Sequence, residues 1–96
     1  MLIYKGSTFS RFATCKNYGK PTNLAGYTIT AKIKFSTNLS VDIPCMILDQ
    51  ATNPGKFIFG PIETDDWPTG TYSLVIIKNY QGVEDYAKID VDIEEL

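Results

Sequence analysis

The sequence predicts an all-β fold, an antiparallel β-sandwich of about six or seven short strands. Three observations carry this. Apolar and polar residues alternate with a period of two in several segments. Turns rich in Gly, Asn and Pro separate those segments at spacings of roughly 8–14 residues. No strand–helix alternation is present, so a parallel sheet is not expected. A small β-barrel is the alternative arrangement. The chain has 96 residues, so a single domain spanning 1–96 is expected, long enough to bury a modest core without metals or disulfides.

The elements follow in chain order. Thr8 to Lys16 reads as a strand, and a bulge near Arg11 would bring Phe9 and Phe12 onto one face. Asn17 to Pro21 is a turn. Tyr27, Ile29, Ala31, Ile33 and Phe35 alternate with Thr28, Thr30, Lys32 and Lys34, which is the pattern of a half-buried strand. Val41, Ile43, Cys45 and Ile47 repeat it, with Pro44 in the middle. Pro lacks the N–H of a central ladder, so this strand belongs at a sheet edge or carries a bulge.

Asp49 to Gly55 is a turn-rich connection, and Lys56 to Pro61 is a short strand around Phe57 and Phe59. Ile62 to Trp67 suggests one helical turn, capped by Thr64 with Asp65 and Asp66 in its first turn. Thr71 to Lys78 is apolar on both faces, as expected of a strand that is central or covered twice. Asn79 to Gly82 turns it into a last strand in which Ala87, Ile89, Val91 and Ile93 face the core, against Lys88, Asp90 and Asp92.

Charge narrows the function classes. Nine basic and 11 acidic residues leave a net charge of -2, so neither nucleic acid nor an anionic membrane is an expected partner. Lys32 and Lys34 with Tyr18 and Tyr80 sketch a basic, aromatic surface, but a solvated strand face explains the lysines. No apolar run approaches the roughly 20 residues of a membrane span. Met1 to Lys5 lacks a basic region followed by an apolar run, so no signal peptide is expected and the chain should fold in a cytoplasm. In that setting the sequon Asn38-Leu39-Ser40 is a chance match.

Catalytic chemistry finds few groups. His is absent, which removes Ser-His-Asp and Cys-His arrangements and the commonest metal sites. Cys15 and Cys45 lack Cys-x-x-Cys spacing and read as buried free thiols, a disulfide being the alternative. The Asp65-Asp66 pair beside Trp67 suggests calcium or a sugar, yet no further oxygen ligands follow at calcium-loop spacing. Asp90 and Asp92 fall on the polar side of a strand. The glycines form no phosphate-binding pattern. No enzyme activity, cofactor or metal is therefore expected. Phe9, Phe12, Phe35, Phe57, Phe59 and Trp67 read as core. Tyr18, Tyr80 and Tyr86, at or near turns, are the interface candidates.

Three stretches go further. They are Ile3 to Lys34, Gly55 to Gly82, and the terminal AKIDVDIEEL. Lys5-Gly6-Ser7-Thr8 opens the first, Pro21-Thr22-Asn23-Leu24-Ala25-Gly26 precedes the alternating strand, and Thr64 to Tyr72 carries Asp66, Gly70 and Tyr72. Together they resemble the immunoglobulin-like domains of tailed-bacteriophage virion proteins, above all the N-terminal domain of phage baseplate upper proteins. Ser7, Asn23 and Ala25 depart from that pattern, which has Asp, Asp and Thr there, and the large C-terminal portions of those proteins have no counterpart. The resemblance implies an immunoglobulin-like sandwich and a structural role in the tail, baseplate or fibre of a phage or prophage virion. It implies other virion proteins as partners, with a homo-oligomer as a further expectation. Gly6, Gly26 and Gly70 would be turn residues, and Tyr72 would lock its turn as a tyrosine corner does. A carbohydrate-binding module for host adsorption, using loop aromatics, is the rival reading.

Overall fold

A computed structural model describes all residues from Met1 to Leu96. The chain forms ten strands and no helix: β1 (Leu2–Tyr4), β2 (Thr8–Thr14), β3 (Lys16–Asn17), β4 (Lys20–Pro21), β5 (Thr28–Ser36), β6 (Leu39–Ile43), β7 (Cys45–Ile47), β8 (Lys56–Glu63), β9 (Gly70–Tyr80) and β10 (Val83–Glu94). One sheet has the order β1-β10-β9-β5-β6, a second β2-β8-β7, and β3-β4 is a two-stranded ribbon. Both large sheets are open, so the fold is a sandwich and not a barrel. The two orders are those of an immunoglobulin-like sandwich, with β6 as the added edge strand of the larger sheet. The expected all-antiparallel arrangement has one exception. β1, too short to register as a periodic segment, pairs parallel to β10 and places Ile3 beside Ile93.

The alternating strand forms as its pattern demands. Ile29, Ala31 and Ile33 of β5 are buried, and Thr30, Lys32 and Lys34 are exposed. β9 lies between β10 and β5, which explains its two apolar faces: Leu74 and Ile76 point into the core, and Val75 and Ile77 are half-buried on the outside. The β9–β10 hairpin closes through Gln81 and Gly82, with φ of 51° and 84°. Two positive φ values in a two-residue loop match the right-handed twist of the strands. Val91 and Ile93 are buried on β10, whereas Ala87 is exposed, since the three-stranded sheet does not extend over the far half of the hairpin.

Three expectations change. The Val41–Ile47 segment is two strands: Pro44 ends β6 in one sheet, and β7 starts in the other. Both are edge strands, consistent with the missing N–H of Pro44. Second, the irregularity opposite Arg11 puts its extra residue on β8. Phe9 pairs with Ile62 and Arg11 with Phe59, so Gly60 and Pro61 oppose Ser10 alone. The parity of β2 is kept, so Phe9 is buried and Phe12 is 72% exposed on the opposite face. Third, Ile62 to Trp67 is not helical: β8 runs to Glu63, and a turn closed by Trp67 N–H on the Thr64 carbonyl (3.0 Å) follows.

The core joins both sheets through rings. Phe9 packs against Phe59 (5.6 Å between centroids) and Trp67 (6.0 Å), and Phe35 packs against Trp67 (5.7 Å) and edge-on to Tyr72 (4.9 Å). Each such pair contributes about 0.5–1.5 kcal/mol beyond burial of its area. Leu24, fully buried, plugs the core from the connection before β5.

Candidate interaction surface

Turns set where the surface residues stand. Gly70 has φ of +136°, and a Cβ there would lie 2.9 Å from the Tyr72 hydroxyl. That hydroxyl donates to the Thr69 carbonyl at 2.7 Å. A ring on the first residues of β9 thus folds back on its own turn, in the manner of a tyrosine corner. Gly6 and Gly26 also have positive φ, 93° and 82°.

Two further fastenings have no signal in the sequence. Thr64 is fully buried, accepts from Gly6 N–H (3.0 Å) and donates to the Ser7 carbonyl (2.6 Å). It fastens the β1–β2 turn instead of capping a helix. Gln50 Oε1 accepts from Leu24 N–H and Gly55 N–H, both at 2.8 Å, which ties the connection before β5 to the one before β8.

The three interface tyrosines do not form one surface. Tyr18 is 98% exposed at the tip of the β3–β4 ribbon. Tyr80 stacks on Tyr27 at 4.6 Å, on the same side of the hairpin as Lys78, which lies over Tyr27. Tyr86 pairs with Ile77 and therefore sits on the other side. Its hydroxyl bonds to Glu84, and that carboxylate holds the phenol above its ordinary value.

Other marked residues are dispersed. Asp65 and Asp66 are exposed in their turn, while the adjoining Trp67 is buried. Asp92 accepts from Thr71 Oγ1 (2.8 Å). Cys15 and Cys45 are free, and burial raises both thiols above their ordinary value, with Lys78 opposing part of this at Cys15. No three His, Cys, Asp or Glu side chains converge.

Two continuous surfaces emerge from strand register instead. On the larger sheet, Lys32 is opposite Val75 and Val75 opposite Lys88, so lysines flank an apolar strip of Val75 and Ile77. A groove of about 680 Å³ lies at its β5–β6 side, where Lys32 meets Asp42 at 3.7 Å. On the smaller sheet, Phe12 pairs with Ile58 and Ile58 with Met46. These three side chains form an outward apolar row across the whole sheet, with Phe12 and Met46 well exposed. The sequence groups Phe12 with the core aromatics and carries no signal for Ile58 and Met46, because the row exists only across three paired strands.

The chain is an immunoglobulin-like β-sandwich, and its exposed features are sheet faces and edges. No family model, curated protein or solved structure was found to match it.

Proposed function

We propose that this protein is a structural part of a phage or prophage particle, acting through protein–protein contacts. One observation carries the contact reading: the smaller sheet presents an apolar row, Phe12–Ile58–Met46, between two open edges. Exposed apolar rows and unpaired edges suit recognition by another chain. The particle reading rests on the turn sequences around Gly6, Gly26, Gly70 and Tyr72, which resemble phage immunoglobulin-like domains. Their conformations fit such turns, with positive φ at each glycine and the Tyr72 bond to Thr69. Carbohydrate binding has less support, since Trp67 is buried and Tyr80 stacks within the molecule.

Quantitative mass spectrometry of purified parent particles tests this. The chain is expected in several copies per particle, because virion components repeat by symmetry. Its absence from mature particles, together with normal particles from a deletion mutant, would overturn the proposal.

A further inference from the structure

We infer that two copies of this chain associate antiparallel through the open edge of β2, with Phe12 facing Phe12 across a two-fold axis. The inference deepens the contact reading above and rests on it, but not on any virus.

The two large sheets leave four open edges. β1 and β7 have three residues each, and β6 has five and runs into Pro44. β2 has seven, Thr8 to Thr14, without Pro, Asp or Glu. Its free side carries a definable set of backbone groups. Cys15 N–H donates to the Gly55 carbonyl at 2.7 Å, whereas Gly60 N–H and the Lys56 carbonyl bond toward β7. Alternation then directs Ala13 and Arg11 to β8 and leaves the N–H and C=O of Ser10, Phe12 and Thr14 pointing outward. The Ser10 carbonyl accepts from Arg11 Nη1 at 2.9 Å and would exchange that exposed side-chain bond for a strand partner. Outward backbone groups in that order are a template for another strand.

Register follows from the side chains. A two-fold axis normal to the sheet pairs residues on the same face, so it must lie midway between one residue and the same residue of the second copy. Centred on Arg11, it sets Arg11 against Arg11 of the second copy, and like charges directly opposite repel. Centred on Ser10, it sets Phe12 against Thr8. Centred on Phe12, it pairs ring with ring, Ser10 with Thr14, and Arg11 with Ala13, with no like charges opposed. The apolar row then continues through both copies, from Met46, Ile58 and Phe12 into Phe12, Ile58 and Met46 of the second copy. The most exposed ring of the molecule's sheets becomes the centre of a six-stranded sheet.

Sedimentation equilibrium of the isolated protein, from micromolar to millimolar, should show a monomer–dimer equilibrium. Phe12→Lys should raise the dissociation constant at least ~10-fold. Phe12 is exposed, so at protein concentrations below the parent's dissociation constant the two urea midpoints should match and show that folding is intact. Register is read separately in a Cys15→Ala, Cys45→Ala background. Phe12→Cys should cross-link to itself under mild oxidation, because facing hydrogen-bonded residues have Cα atoms about 5.5 Å apart, within disulfide reach. Ser10→Cys, which faces Thr14, should not. A monomer throughout, a dimer unmoved by Phe12→Lys, or equal cross-linking from Ser10→Cys would each overturn the inference. None of these bears on whether the chain is found in particles, so the two proposals fail independently.

Discussion

Replacing Thr64 with Val tests the fastening between the β1–β2 turn and the turn after β8. Val keeps the shape of Thr, so packing volume is nearly unchanged. The hydroxyl it removes accepts from Gly6 N–H at 3.0 Å and donates to the Ser7 carbonyl at 2.6 Å, from a side chain with no solvent exposure. A hydrogen bond contributes a net ~0.5–1.5 kcal/mol, and a buried group left unpaired costs ~1–3 kcal/mol. Gly6 and Ser7 are exposed residues, so water can recover part of the loss at both. Thr64→Val should therefore cost ~2–4 kcal/mol in total. With a urea slope of about 2 kcal/mol/M, the middle of the usual range, the unfolding midpoint should fall by roughly 1–2 M at an unchanged slope. Thr64→Ser keeps the hydroxyl and loses one methyl, at a cost of about 1 kcal/mol. The order parent, Ser, Val in equilibrium urea unfolding is the expected result. Val as stable as Ser would refute the bridge as a source of stability, and so would Val within ~0.5 kcal/mol of the parent.

Three further outcomes are expected. Gly70→Ala should destabilise by ~1–3 kcal/mol through strain at φ of +136° and through contact with the Tyr72 hydroxyl. In a Tyr72→Phe background its cost should shrink, because the crowded oxygen is gone; strict additivity in a double-mutant cycle would remove that explanation. Alkylation under denaturing, non-reducing conditions should add two groups, at Cys15 and Cys45, and none added would mean a disulfide. Both folded thiols titrate above their ordinary value of 9.0, so their contribution is constant below it. As pH rises further the unfolded thiols ionise first, and stability should fall; a rise over that range would reverse the sign argued from burial.

Much of the fold was legible because a strand's side-chain period is short and local. The alternation from Tyr27 to Phe35 names both the strand and its inner face, since each residue's direction follows from its neighbour's. Gly82 marks the last hairpin for a similar reason, since a two-residue loop needs positive φ and Gly adopts it freely; Gln81 gives no such signal, and the turn expected over Asn79 to Gly82 narrows to its last two residues. Pro44 announced an edge by its missing N–H.

What tertiary structure alone decided involves distant partners. Pro44 passes the chain from one sheet to the other, and nothing within Val41 to Ile47 says so, because the alternation reads the same across the break. Phe12 points outward because the extra residue opposite β2 belongs to β8, some fifty positions away in sequence. Thr64 resembles a helix cap by composition, yet its hydroxyl is taken by Gly6 and Ser7 from a turn at the other end of the chain. The row Phe12–Ile58–Met46 appears only when three strands are set in register. Local periodicity states which way a side chain points relative to its neighbours. Pairing between remote strands decides what it meets there, and on this protein that pairing creates both the outward apolar row and the open edge of β2.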